Sequence, residues 1–235
     1  MQLFCFTFAG GNASFFDPLE QCLGTSIEVV KLEYAGHGSR HREGFYHSFS
    51  QLAEDLFGII QKRYHIGEDY AFLGYSMGSI SAVEVLKQIL NSCEMPPPVY
   101  MFLAAHEPCT KSEMIGYSEK DQDELVKART IQFGGIPKTL VDNGSFWRVY
   151  LPIYRADYTL IGNYDFHRLD LESKIPTTVF YSETDTPYAD IAQWRRIFVG
   201  KCEFVRYDGT HFFIQEHCQE MADVIRRSLL QDELW

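Results

Sequence analysis

Short apolar runs alternate with longer segments of helical periodicity along most of the chain. Continuous apolar runs are typical of strands that are buried on both faces of a parallel sheet. We assign strands to residues 3–8, 27–32, 71–73, 99–104, 177–181 and 203–207. Strands that alternate with helices of ten residues or more predict a parallel sheet with helices on both faces.

Two of the intervening segments show this helical spacing clearly. Apolar residues recur every three or four positions between about residues 48 and 64, where Ser48 or Ser50 is available as the N-cap. In the second segment, Ile80, Val83, Leu86 and Leu90 recur at three- and four-residue steps and would form one apolar face of a helix. Since no Gly/Ser-rich or Pro-rich linker divides the sequence, we expect a single α/β domain over residues 1–235.

The alternation breaks between residues 108 and 174. This part contains a charged helical stretch near residues 119–130 and an aromatic-rich stretch at 146–164, and it lacks a clear strand pattern. We interpret residues 108–174 as a helical lid insertion that covers an apolar pocket; an ordinary helical layer at the sheet edge is the alternative. Arg155 and Asp157 are expected either to pair with each other and brace this insertion or to lie on a solvated face.

The segment Gly74-Tyr75-Ser76-Met77-Gly78 lies where an apolar strand runs into a helix. A serine between two glycines at such a junction is typical of a nucleophile elbow, in which a strained turn exposes the hydroxyl. The free N–H groups at the helix start would face the developing negative charge. The sequence therefore predicts Ser76 as nucleophile, with the Met77 and Ala9 amides as oxyanion donors. A plain Gly/Ser turn is the alternative.

Candidate acid and base residues follow the last two strands. Side chains at the carboxyl ends of parallel strands converge above the sheet. Asp185 is the predicted acid, with Glu183 and Asp190 as alternatives, although Asp190 also suits a helix cap. His211 is the predicted base. The order serine, aspartate, histidine is that of the α/β-hydrolase fold, with a mostly parallel central sheet flanked by helices.

Composition narrows the possible functions further. The chain has 235 residues and a formal net charge of −11, which argues against binding to nucleic acid or to an anionic membrane surface. The apolar N-terminus has no basic region or cleavage site and is interpreted as a strand rather than a signal peptide. The 6 cysteines are scattered, which predicts reduced thiols in a cytoplasmic protein with no disulfide framework and no metal site.

Five separated stretches resemble the type II, or editing, thioesterases that accompany nonribosomal peptide and polyketide synthases. They are residues 3–11, 36–40, 74–78, 151–158 and 208–213. The first and fourth are the specific ones, because Gly-x-Ser-x-Gly and a C-terminal histidine occur in many hydrolases. The resemblance implies hydrolysis of stalled acyl groups from the phosphopantetheine arm of acyl or peptidyl carrier proteins. We expect no further cofactor and a monomeric enzyme.

Two positions depart from the family pattern. The residue before the nucleophile, usually histidine in the family, is Tyr75, and the Pro-Gly-Arg-Gly-like loop appears as Tyr34-Ala35-Gly36-His37-Gly38. We expect neither to contact the triad and both to alter the mouth of the pocket. His37 and Arg40 are expected to lie at the surface or to brace their loop. The alternative functions are a carboxylesterase acting on free small esters and a non-catalytic protein that docks on a synthase.

Overall fold

A computed structural model describes residues 1–108 and 122–230. Within these ranges, six strands form one sheet in the order β2-β1-β3-β4-β5-β6, and every neighbouring pair is parallel. The strands are β1 (Gln2–Phe6), β2 (Glu28–Lys31), β3 (Tyr70–Tyr75), β4 (Tyr100–Ala104), β5 (Thr177–Tyr181) and β6 (Cys202–Arg206). The predicted parallel sheet is confirmed.

Helices cover both faces of this sheet. They are α1 (Asp17–Leu23), α2 (Phe49–Arg63), α3 (Met77–Ser92), α4 (Gln122–Phe133), α5 (Gly144–Gly162), α6 (Tyr188–Ile191) and α7 (Cys218–Leu230). One apolar cluster joins α2, α3 and α5 to one face, and a second joins α1 and α7 to the other. Strand side chains alternate between the faces, so Phe4 and Phe72 belong to the first cluster and Cys5 and Leu73 to the second.

Local signals account for most element boundaries. The Ser48 hydroxyl accepts a hydrogen bond from the Gln51 N–H at 3.1 Å and caps α2 as predicted. The face of α3 differs slightly from the prediction, because Leu90 is 39% exposed and Ile89 is buried in its place. The first strand ends at Phe6 instead of residue 8, which leaves Thr7 and Phe8 to lead into the loop beside the sheet.

The predicted lid insertion is described only in part. Residues 109–121, including Cys109 and the beginning of the predicted charged helix, lie outside the described residues. Two helices, α4 and α5, make up most of residues 122–162. In the ranges that are described, no helix is both long enough and apolar enough to cross a membrane, and the cysteines Cys5, Cys22, Cys93, Cys202 and Cys218 are free thiols.

Candidate active site

Ser76 lies on a strained turn between β3 and α3. Its φ and ψ are 55° and −121°, a backbone conformation that a residue with a Cβ rarely adopts. The neighbouring glycines are required by close packing: a Cβ at Gly78 would lie 2.0 Å from the carbonyl oxygen of Phe6, and one at Gly74 would lie 2.4 Å from that of Gly78. The sequence pattern thus produces an elbow that presses the start of α3 against β1.

Ser79 reinforces this elbow, and sequence reasoning did not single it out. Its side chain is fully buried, and its Oγ lies 3.0 Å from the Gly74 carbonyl oxygen and 3.1 Å from that of Ala104. The same Oγ accepts a hydrogen bond from the Ala104 N–H at 3.2 Å. The hydroxyl therefore links β4 to both arms of the turn. The available signal was a serine three positions after the nucleophile in the mostly apolar first turns of the helix.

The three predicted triad side chains meet at the carboxyl edge of the sheet. His211 Nε2 lies 2.9 Å from Ser76 Oγ, and His211 Nδ1 lies 2.9 Å from Asp185 Oδ1. Asp185 comes from the loop after β5 and His211 from the loop after β6, and their side chains are 8% and 10% exposed. The serine hydroxyl can therefore transfer its proton to an imidazole that a carboxylate orients.

The two alternative acids lie elsewhere. Glu183 is exposed, and its Oε2 accepts a hydrogen bond from the Tyr188 N–H at 3.3 Å. Asp190 lies within α6, whose N-cap residue is Pro187, so the expectation that Asp190 caps this helix is wrong. Of the three candidates, Asp185 is the one in contact with His211.

Tyr75 contacts the triad, so the expectation that it would not is wrong. It is fully buried instead of lying at the pocket mouth, and its hydroxyl donates to the His211 carbonyl oxygen at 2.7 Å. The Ile214 N–H approaches the same hydroxyl at 3.5 Å. Burial raises the pKa of Tyr75 well above its ordinary value, which keeps this donor protonated. The tyrosine therefore supports the backbone that carries the catalytic-base candidate.

The predicted oxyanion donors lie on either side of Ser76. Met77 opens α3, where the first N–H groups have no acceptor within the helix. Ala9 lines the cleft in front of Ser76. Across residues 1–108 and 122–230, neither the Ala9 nor the Met77 N–H has a hydrogen-bond acceptor. Ala9 belongs to a turn, residues 8–11, which we call the oxyanion turn; it is closed by the Gly11 N–H donating to the Phe8 carbonyl at 3.0 Å.

The cleft over Ser76 has aromatic walls from the predicted lid insertion. It holds about 790 Å³ of space, including its open mouth. Phe133 at the end of α4 lies with its ring centroid 4.5 Å from that of His211, and Tyr154 and Tyr158 of α5 also line the cleft. The Arg129 guanidinium lies 5.2 Å from the Tyr158 ring centroid. This composition suits an acyl chain, with a few polar groups to orient it.

His106 is a second histidine in the cleft, and sequence reasoning missed it. Burial lowers its pKa, so the ring is neutral at physiological pH. His106 Nδ1 lies 2.7 Å from the Glu107 carbonyl oxygen. The His106 carbonyl oxygen accepts a hydrogen bond from the Trp194 indole N–H at 2.7 Å. These bonds hold the segment after β4, which forms one wall of the cleft.

Arg155 and Asp157 do not pair with each other, so the expected brace between them is wrong, and the burial of Asp157 also excludes the alternative that both lie on a solvated face. Arg155 forms its salt bridge with Asp123 of α4. Asp157 is 2% exposed and binds His37 and the Gly10 N–H of the oxyanion turn. His37 is itself buried, so the loop-bracing interpretation holds for it and the surface interpretation does not.

Arg40 also braces the loop after β2. Its guanidinium makes two contacts with the Asp55 carboxylate, at 2.7 and 3.1 Å, and it donates to the Glu33 carbonyl at 3.1 Å. The Tyr46 hydroxyl donates to Asp55 at 2.5 Å and accepts from the Ala35 N–H at 3.0 Å. These bonds fasten residues 33–46 to α2. Among the residues that the structure describes, no three His, Cys, Asp or Glu side chains group closely enough to bind a metal ion.

Comparison with known proteins gives a consistent family. A family model described as "Thioesterase domain" matches residues 1–229. The chain is 27% identical over 235 residues to the gramicidin S biosynthesis protein GrsT of Aneurinibacillus migulanus, an alignment that covers 97% of this chain and 89% of that protein. It is 28% identical over 224 residues to the medium-chain S-acyl fatty acid synthase thioesterase of Rattus norvegicus, covering 92% and 82% of the two chains.

Solved structures show the same relationship. The chain superposes with a TM-score of 0.85, at 25% identity, on the RedJ thioesterase from the prodiginine biosynthetic pathway in Streptomyces coelicolor. The superposition covers 97% of this chain and 85% of that one.

Proposed function

The chain belongs to the thioesterase domain family, and we propose that it hydrolyses acyl groups from the phosphopantetheine arms of carrier proteins in nonribosomal peptide or polyketide synthesis. Family membership makes it a thioester hydrolase with an α/β-hydrolase fold. The observation that carries the proposal is the continuous contact from Ser76 through His211 to Asp185, at 2.9 Å in each step. The pathways named for GrsT and RedJ support a synthase-bound substrate.

In the acylation half-reaction, Ser76 Oγ attacks the thioester carbonyl carbon while His211 Nε2 takes the hydroxyl proton. Asp185 holds the Nδ1–H tautomer and stabilises the imidazolium that forms. The carbonyl oxygen becomes an oxyanion, which the Ala9 and Met77 N–H groups stabilise by about 3 kcal/mol each. The tetrahedral intermediate then collapses and leaves the acyl group on Ser76, while the expelled phosphopantetheine thiolate takes the proton from His211 Nε2 and departs as the free thiol.

The deacylation half-reaction repeats these steps with water. His211 removes a proton from a water molecule that attacks the acyl-serine, and the same amides stabilise the second oxyanion. Collapse returns the proton to Ser76 Oγ and releases the free acid. A thiol with a pKa of about 8.5 leaves as a thiolate far more readily than an alcohol does, so the acylation step depends less on proton donation than it would for an ester.

Substrate access involves the aromatic helices α4 and α5. We propose that they act as the lid insertion, because Phe133 packs against the His211 ring and Tyr154 and Tyr158 line the cleft from the same side. Such a cover excludes bulk water from the acyl chain and strengthens the electrostatic interactions within the site. The formal charge of −11 does not favour long-range attraction of an acidic carrier protein. We therefore propose docking through a local surface, with a monomeric enzyme.

The test measures hydrolysis of three substrates with one acyl group: an acyl-carrier protein, the acyl-coenzyme A thioester and a free ester. We expect kcat/KM to be highest for the acyl-carrier protein. Ser76→Ala should abolish turnover and labelling by a fluorophosphonate probe. The matched control is Ser26→Ala, an exposed serine of the loop between α1 and β2, which should keep both.

Each other outcome identifies a different function. A strong preference for the free ester would make the protein a general carboxylesterase. Preference for free coenzyme A thioesters of medium-chain acids would place it closer to the fatty acid synthase thioesterase than to the synthase-editing enzymes. Full function in Ser76→Ala would refute a catalytic role and favour a docking protein.

A further inference from the structure

We infer that Asp157, together with His37, is a positioning unit that holds the oxyanion turn in its binding conformation. The inference rests on the proposed function, because it assigns these two residues to the oxyanion site of the same reaction. Neither residue lies in the Ser76–His211–Asp185 chain of contacts. Both belong to stretches that carry the family resemblance, at residues 36–40 and 151–158, for which the catalytic mechanism gives no role.

One carboxylate oxygen joins three distant parts of the chain. Asp157 Oδ2, on α5, accepts the Gly10 N–H at 2.7 Å and lies 2.9 Å from His37 Nε2. Gly10 belongs to the oxyanion turn, 147 residues earlier, and His37 to the loop after β2, 120 residues earlier. The side chains of His37 and Asp157 are 2% and 3% exposed, so water does not compete for these bonds.

The bond to Gly10 fixes the peptide group of the oxyanion turn that can flip most easily. In a four-residue turn, the central peptide can flip between two orientations when glycine follows it, because glycine accepts either sign of φ. Gly10 occupies that position with φ +77°. Its N–H is the donor held by Asp157, so a flip would break a charge-assisted hydrogen bond. The carboxylate thereby fixes the peptide group on the C-terminal side of Ala9. The proposed oxyanion donor is the N–H on the N-terminal side of the same residue, so its orientation is restrained as well.

α5 also restrains the turn sterically. A Cβ on Gly10 would lie 2.0 Å from the Tyr154 ring, so this ring packs directly on the turn. Tyr154 and Asp157 are three positions apart and share one face of α5. The helix that provides the aromatic wall of the cleft therefore also provides the carboxylate that holds the oxyanion turn.

His37 forms a buried pair with this carboxylate. Its Nδ1 lies 3.0 Å from the Ala35 carbonyl oxygen, and its Nε2 faces Asp157. Because both ring nitrogens face acceptors, the geometry fits an imidazolium paired with an ionised carboxylate. Burial alone would lower the pKa of His37, but the contact with Asp157, the hydrogen bond to the Ala35 carbonyl and, last, the charge of Glu33 outweigh it, so the pKa is raised. The Tyr34 and Phe45 rings approach the imidazole edge-on.

The test compares Asp157→Ala and Asp157→Asn with the matched control Asp123→Ala. Asp123 is a helical aspartate in the first turn of α4 that pairs with Arg155 of α5, and among the described residues no hydrogen bond or ion pair joins it to the oxyanion turn. We expect Asp157→Ala to lower kcat at least about tenfold with KM changed by less than about threefold, since an oxyanion interaction acts in the transition state. Asp157→Asn keeps an acceptor for the Gly10 N–H without the charge, so its kcat should lie between those of Asp157→Ala and wild type. Asp123→Ala should keep kcat.

A second readout separates positioning from folding. A trifluoromethyl ketone analogue adds to Ser76 and places its oxyanion between the proposed donors. Across wild type and the three variants, its Ki should rise by the same factor as kcat/KM falls, in protein that melting curves show to be folded. The double variant His37→Ala/Asp157→Ala should lose no more kcat than Asp157→Ala alone, because the two residues act as a unit.

Distinct results would overturn the inference. If kcat of Asp157→Ala equals that of Asp123→Ala, or if its loss is entirely in KM, Asp157 does not position the oxyanion turn. A loss of kcat with an unchanged Ki for the ketone would also contradict it. Failure of the proposed function is recognised separately, because wild-type protein would then not hydrolyse any acyl-carrier substrate.

Discussion

Replacing Tyr75 by phenylalanine removes one buried hydroxyl and changes nothing else in the shape of the side chain. In the part of the chain that the structure describes, this hydroxyl is the donor that satisfies the His211 carbonyl oxygen, at 2.7 Å. Leaving a buried carbonyl without its donor costs about 1–3 kcal/mol. Tyr75 is fully buried, so no water replaces the lost bond at the protein surface. We expect Tyr75→Phe to lower the free energy of unfolding by about that amount.

The same change should affect catalysis. His211 must hold both of its 2.9 Å contacts during proton transfer, and Tyr75 fixes the backbone from which its ring extends. If about 1.4 kcal/mol of the lost interaction is felt in the transition state, kcat falls about tenfold. KM should change little, because Tyr75 is absent from the lining of the cleft.

Tyr207→Phe is the matched control. Tyr207 is also buried, and among the described residues its hydroxyl has no hydrogen-bond partner. Removing an unsatisfied buried hydroxyl should leave stability unchanged or raise it. Urea unfolding and steady-state kinetics of both variants provide the measurement. If Tyr75→Phe loses no more stability than Tyr207→Phe and keeps wild-type kcat, the assignment of Tyr75 to the support of His211 is refuted.

Two further changes test the packing of the elbow and the buried ion pair. Gly78→Ala would place a Cβ 2.0 Å from the Phe6 carbonyl oxygen, so we expect a loss of more than about 2 kcal/mol in unfolding free energy, or no folded protein, in urea titrations. His37→Gln should lower stability mostly at acidic pH: the raised pKa of His37 means that its pairing with Asp157 stabilises the fold fully below the ordinary value of 6.5. This stabilisation is lost as the pH rises through the higher pKa of the folded state, so unfolding curves of the two proteins should converge there; a difference that grows with pH would contradict the pairing.

The central parts of the fold were predictable because they depend on local chemistry. Apolar runs bounded by turns indicated the strands, and two glycines around a serine indicated the elbow, since only glycine fits where a Cβ would lie 2.0–2.4 Å from a backbone oxygen. The positions of Asp185 and His211 after the last two strands followed from the topology of parallel sheets.

Predictions of individual side-chain partners outside the triad were less successful. Arg155 and Asp157 are two positions apart, and at 3.6 residues per turn their side chains point about 200° apart on a helix, so pairing between them was excluded by geometry once the helix was assigned. Tyr75 could not be assigned from sequence, because its partner is the carbonyl of a residue 136 positions away. Such contacts depend on which loops the folded sheet brings to the same edge.

Contacts that the sequence did not predict join α5 to the edge of the sheet that carries Ser76. α5 contributes Tyr154 to the cleft wall and, one turn later on the same face, Asp157 to the oxyanion turn. A displacement of α5 that opened the cleft would therefore also withdraw the carboxylate from Gly10 and release the turn beside Ser76. With His37 held to the loop after β2, the charged pair ties this helix to the sheet as well. Formation of the oxyanion site and closure of the aromatic wall are thus expected to occur together, so that full catalytic power is reached only when the acyl group is enclosed.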